Sequence, residues 1–197
     1  MKSFLLMVLF ALVSATAAFA DPVEMQFTGP SGLNANGEYT YPYEITVNGT
    51  PMELMCISLN NNVYGGETWT ANANSVASLW GTQDAQLYDA AAWLFQQEQG
   101  NGNDPAINWA AWKLFYPGQD VAGIPGAQQW YDQAIGNTYT EGEFADLSLY
   151  QPTGFVRGGD SPQEFIGNAA TPEPGTLLLV GTGVLGFAGL LRRKMHS

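Results

Sequence analysis

Apolar and polar side chains alternate from Glu38 to Val47. Tyr39, Tyr41, Tyr43, Ile45 and Val47 fall on one face, and Glu38, Thr40, Pro42, Glu44 and Thr46 on the other. A period of two predicts a half-buried strand. Pro42 lacks an N–H, which places that strand at an edge or a bulge. Asn48-Gly49 predicts a tight hairpin into a second strand over residues 52–58. Residues 23–27 read as a short strand ahead of these, and residues 32–37 as a loop.

From Asp84 the period lengthens. Leu87, Tyr88, Ala91, Ala92 and Phe95 share one helical face, until Gln99-Gly100-Asn101-Gly102-Asn103 breaks it. Asp104-Pro105 is a helix start, an N-cap followed by proline at the first helical position. The stripe Ile107, Ala110, Ala111, Leu114 and Phe115 follows, ended by Pro117-Gly118. A third, shorter helix is predicted over residues 126–135. Beyond it Leu147 and Leu149 alternate with polar neighbours, and residues 154–157 and 164–166 are short apolar pieces. The order β, α, β predicts an α+β domain, a small antiparallel sheet or sandwich with a helical insertion.

The two ends follow other rules. Lys2, the apolar residues 4–13 and Ala18-Phe19-Ala20 have the form of a signal peptide over residues 1–20. Residues 175–191 hold 17 residues without a charge, about 25 Å of helix, slightly less than a ~30 Å hydrocarbon core. Arg192, Arg193 and Lys194 follow; they can snorkel to the interface and orient the terminus toward the cytoplasm. Just before the span stand Pro172, Glu173 and Pro174. Motif, transmembrane helix and basic cluster together (residues 171–197) resemble the PEP-CTERM sorting tail of Gram-negative bacteria. The resemblance implies an exosortase-like processing protease as partner. It implies an exported chain anchored in the inner membrane by its C-terminal helix, with its domain in the periplasm, and moved on processing to the cell surface or extracellular matrix. Gly181-Thr182-Gly183-Val184-Leu185-Gly186 matches a dinucleotide fingerprint, but no acidic residue follows it, so it is not a nucleotide site.

Residues 21–170 are then one extracytoplasmic domain. It holds 17 acidic side chains against two basic ones, Lys113 and Arg157, a formal charge of about −15. Such a surface repels nucleic acid. Cys56 is the sole cysteine, so no internal disulfide forms, and the one histidine, His196, lies in the tail. Without histidine the domain has no Ser-His-Asp or Cys-His machinery and no imidazole metal site. A non-enzymatic module is expected. Asn60-Asn61-Asn62 and Asn101-Gly102-Asn103-Asp104 offer oxygen atoms of the type calcium takes, without EF-hand spacing. Loop chemistry accounts for both, so no cofactor or metal site is expected, although calcium is the ion this acidic setting would suit.

Met55-Cys56-Ile57, Thr82-Gln83-Asp84-Ala85 and Ile107-Asn108-Trp109-Ala110-Ala111-Trp112 resemble the motifs of the thioester (TQXA-type) domains of bacterial surface adhesins. This resemblance covers roughly residues 52–115. It implies an internal thioester between Cys56 and the side chain of Asn108, able to capture amines on a target surface. Asn108 stands where that family has a glutamine, one methylene longer, and Met55 where it has an aromatic residue or leucine. From the residues alone, Cys56 reads as a small buried side chain on a strand and Asn108 as part of a first helical turn. Tyr41-Pro42-Tyr43, Gly66-Glu67-Thr68-Trp69 and Pro162-Gln163-Glu164-Phe165-Ile166 also resemble secreted proteins with the same tail, which implies no activity. Among the six tryptophans, Trp109 and Trp112 share a helix face and read as core. Trp69 and Trp80 lie in polar, loop-like sequence and are the candidates for stacking on an exopolysaccharide.

Overall fold

The computed structural model describes residues 22–154 and 161–170. The expected signal peptide, sorting motif, membrane span and basic cluster lie outside the described residues, as does most of the apolar piece at 154–157. Among the described residues no helix is long and apolar enough to cross a membrane.

Six strands close into an antiparallel barrel in the order β1-β4-β5-β8-β7-β6, with β6 pairing back onto β1. They are β1 (Val23–Pro30), β4 (Tyr43–Val47), β5 (Thr50–Cys56), β6 (Thr68–Ser75), β7 (Leu147–Pro152) and β8 (Phe165–Asn168), and a separate pair, β2 (Asn34–Ala35) and β3 (Glu38–Tyr39), folds against itself. The expected small antiparallel sheet or sandwich is thus a closed barrel, with the helical insertion present. What escaped the sequence reading was β6. Its alternation of Trp69, Ala71 and Ala73 with Thr68, Thr70, Asn72 and Asn74 includes two alanines and two asparagines, which strands elsewhere disfavour, and without it the sheet cannot close.

The helical insertion enters between β6 and β7. A 3-10 turn (Val76–Leu79) leads to α1 (Ala85–Asn101), α2 (Pro105–Phe115) and α3 (Ala127–Gly136). The expected break at residues 99–103 comes late: α1 runs through Gly100 and ends at Asn101, where Gly102 takes a left-handed cap at φ 70°. At α2 the Asp104 side chain accepts from the Ala106 N–H at 3.0 Å, with Pro105 at the first helical position.

The ten-residue strand expected from Glu38 to Val47 is split. Asn36 and Gly37, both at positive φ, turn β2 into β3, and residues 40–42 then leave the sheet before β4 begins. Ser31 and Gly32 donate their N–H groups to the Pro42 carbonyl, and Thr40 donates to Leu33. The folded-back segment packs so closely that a Cβ on Gly32 would collide with the carbonyl oxygens of Thr40 and Tyr41. At Asn48-Gly49 the predicted hairpin forms, with φ 49° and 79°.

Two hydrophobic clusters follow from the alternation. The first takes residues from all six barrel strands, including Met25, Ile45, Leu54, Cys56, Trp69, Ala71, Tyr150 and Phe165, and is therefore the barrel interior; Trp109 and Trp112 of α2 join it. The second takes the opposite face of β5, β7 and β8, through Met55, Leu149 and Ile166, and packs it against Phe95, Ile107, Ala110, Ala111 and Leu114 of the helices. Helix α2 is thus apolar on both sides, and only three of its residues escape full burial. The Tyr150 hydroxyl donates to the Asn168 carbonyl at 2.8 Å and accepts from the Ala170 N–H at 3.1 Å, which fixes the chain as it leaves β8.

Candidate functional site

The β4–β5 ladder pairs Val47 with Thr50, Ile45 with Met52 and Tyr43 with Leu54. Continued by one repeat, the same register sets Tyr41 opposite Cys56. A direct bond does not form there. Instead the Tyr41 N–H donates to Oδ1 of Asn108 at 2.8 Å, and Nδ2 of Asn108 donates to the Cys56 carbonyl at 2.8 Å. The carboxamide is spliced into the ladder as if it were a peptide group. It needs one donor and one acceptor aimed in opposite directions, which an asparagine provides. Pro42 falls at a position where this ladder would ask for no N–H. On the other side of β5 the ladder to β8 runs on, with the Ile57 N–H bonded to the Glu164 carbonyl at 2.9 Å.

The structure therefore brings together the two residues that the thioester resemblance paired. The contact joins the Asn108 side chain to the Cys56 carbonyl. The Cys56 thiol faces the barrel interior, donates to the Ser58 carbonyl at 3.5 Å and has the Trp112 indole beside it. Burial pushes that thiol up to about 12, so no thiolate forms at neutral pH.

Sequence reasoning missed two acids. Glu98, fully buried near the end of α1, turns its carboxyl toward the backbone of Asp104 and Asn108 yet closes no hydrogen bond of normal geometry. Burial, with the Asp104 charge added, pushes it up to about 8. Asp89, 5% exposed, keeps its Oδ2 without a partner, and burial raises its carboxyl too. A signal was present for Glu98, a polar intruder three residues after Phe95 on the apolar face of α1, whereas Asp89 falls beside that face and gave none.

Of the stacking candidates, Trp69 is corrected. It lies on β6, 6% exposed, with its ring stacked on Phe165 at 6.2 Å, because inward positions on a barrel strand are filled whatever the polarity of their neighbours. Trp80 is 42% exposed, directly after the 3-10 turn. Trp109 and Trp112 are buried, edge to face at 5.2 Å. The asparagine-rich loops serve the fold: Asn61 Nδ2 donates to the Pro162 carbonyl, Asn101 Nδ2 to Gln97, and Asp104 caps α2 while accepting from the Trp130 indole. Among the described residues no group of three or more histidine, cysteine or acidic side chains could hold a metal ion. Pro172, Glu173, Pro174, Arg192, Arg193 and Lys194 lie outside the described residues.

The family described as the PEP-CTERM protein-sorting motif matches residues 170–194. No curated protein and no solved structure matches the chain. The chain thus carries a PEP-CTERM sorting tail, the mark of an exported protein sorted by exosortase and processed at the membrane.

Two predictions follow from the geometry. Asn108→Ala leaves the Tyr41 N–H and the Cys56 carbonyl buried and unpaired, and lowers unfolding free energy in urea titrations by about 2–5 kcal/mol. Glu98 is protonated in the folded state up to about pH 8, whereas in the unfolded chain it ionises near pH 4.5. Its contribution is whole below pH 4.5, falls as the pH rises toward 8 and is gone above it, a loss of roughly 3–5 kcal/mol. In Glu98→Gln the urea midpoint declines less across that window than the parent's, the remainder coming from the other buried carboxyls, Asp89 and Glu164.

Proposed function

We propose that the exported domain is a non-enzymatic module that holds extracellular polysaccharide, delivered to the cell surface by its PEP-CTERM tail. One observation carries this reading. Trp69, Trp109 and Trp112 are buried and Trp93 and Trp130 half-buried, but Trp80 offers its indole to solvent. A large exposed aromatic face on an acidic, soluble surface is suited to stacking on sugar rings. Tyr39 and Tyr64, about half exposed, add to the same chemistry elsewhere on the domain. The absence of histidine from residues 21–170 and the burial of Cys56 and Glu98 speak for holding a ligand over transforming one. In this reading the tail anchors the chain in the inner membrane, with the domain on the periplasmic side, until exosortase releases it.

A second reading, a covalent adhesin, is favoured by the contact between Asn108 and Cys56. There the Cys56 sulfur would add to Cγ of Asn108, and Nδ2 would depart as ammonia with the thiol proton. The two roles of Asn108 exclude one another, since losing Nδ2 strips the Cys56 carbonyl of its donor.

The exported protein recovered from its host is expected to co-sediment with the host's extracellular polysaccharide, and to show an intact mass that includes the ammonia, a Cys56 thiol that titrates free before any treatment, and an Asn108 that takes up no methylamine. Polysaccharide that leaves the protein in the supernatant would end the first reading. A mass lacking one ammonia, with methylamine incorporated at Asn108, would establish the second.

A further inference from the structure

Trp80 borders a hollow of ≈ 300 Å³ between the 3-10 turn, the start of α1 and the end of α3; Gln86, Asp89, Asn137, Thr138 and Tyr139 also line it. A second hollow of ≈ 370 Å³ adjoins it and shares Trp80 and Gln86, with Thr82 and Gln83 on its far side. Small-molecule sites begin at about 300 Å³, so each hollow suits a unit the size of one sugar ring, with the indole between the two.

The polar groups are those that recognise hydroxyls. Gln86, Asn137, Thr138, Thr82 and Gln83 supply neutral donors and acceptors. Asp89 forms part of the wall of the first hollow, and its Oδ2 is shut from solvent with no hydrogen bond. A buried acceptor left without a donor is destabilising, and such a group in a native structure points to a role beyond packing. The torsion that orients a carboxyl group is soft, so a small turn brings that oxygen to a hydroxyl seated in the hollow. Tyr139 feels the charges of both Asp89 and Glu143, and Glu143 is held nearby by the N–H and hydroxyl of Thr140. Among the described residues no basic side chain lines either hollow. Lys113 is engaged elsewhere, with the Gln119 carbonyl and over the Tyr131 ring.

We infer that these adjoining hollows are a binding site for an uncharged saccharide, two consecutive sugar units straddling Trp80 with a hydroxyl of one donating to Asp89. The carboxylates discriminate against uronic acids, which would bring a like charge to a site where no described residue supplies a cation. This assignment rests on the reading of the domain as a polysaccharide-binding module and adds the place and the ligand class.

The test is calorimetric titration of the full chain, in a detergent without a sugar head group, against neutral gluco-, galacto- and manno-hexaoses and a hexameric oligouronate. At least one neutral hexaose binds and the oligouronate does not. Trp80→Ala and Asp89→Asn each weaken that binding by ~10-fold or more, while Tyr39→Ala/Tyr64→Ala leaves it unchanged. Thermal melts matching the parent show that the Trp80 and Asp89 variants fold. A melt that fails for Asp89→Asn leaves Trp80→Ala, whose side chain is largely outside the core, to decide. Affinity retained in Trp80→Ala but lost in Tyr39→Ala/Tyr64→Ala removes the site from this hollow and keeps the broader reading. Binding of the oligouronate overturns the ligand class. Failure of every hexaose to bind overturns the assignment, and the broader reading then stands or falls on sedimentation with the host polysaccharide.

Discussion

One buried carboxamide ties helix α2 to the barrel. Asn108 sits on the most buried helix and reaches into the one place where the barrel ladder runs out of partners. Had Tyr41 bonded directly to Cys56, helix α2 would rest on the sheet through apolar contact alone, which has no directional preference. The inserted amide gives α2 a fixed depth and rotation. From that fixed axis Trp109 and Trp112 project into the barrel interior, while Ile107, Ala110, Ala111 and Leu114 cover its outer wall. The Asp104 cap and its bond to Trp130 then tie α3 to the same axis.

That axis also explains why polar groups are tolerated in the interior. Glu98 lies against the first turn of α2, where helical N–H groups point outward and negative charge is favoured, yet Asp104 already occupies that position with its own charge. Burial first, and then the charge of Asp104, keeps the Glu98 carboxyl protonated there. Asp89 lies at the opposite end of α1, where the helix borders a hollow. One acid thus belongs to the joint between helices and the other to a surface opening.

Much of this was readable from residue order. The cap Asp104-Pro105 and the turn Asn48-Gly49 carry their geometry in their own chemistry, and both form where expected. The stripe of α2 was read correctly but only in part, since one apolar face was seen where there are two. Barrel closure was not legible, because β6 depends on inward positions filled by Trp69 and alanine, which have meaning only once β1 and β7 flank them. The break at residues 40–42 was hidden for a similar reason. The alternation of Tyr39, Tyr41 and Tyr43 is real, but Tyr41 is turned to the helices and Tyr43 to the barrel interior. Cys56 and Asn108 were paired by resemblance before any geometry. Their contact is there, made through the backbone carbonyl of one and the side chain of the other.

The Tyr150 hydroxyl has a bearing on where the folded body meets the sorting motif. It grips Asn168 and Ala170 from inside the barrel wall, and only Thr171 separates Ala170 from Pro172. The last of these hydrogen bonds therefore falls on the first residue of the matched sorting motif. Where the fold ends and the sorting signal begins, one phenol marks the border.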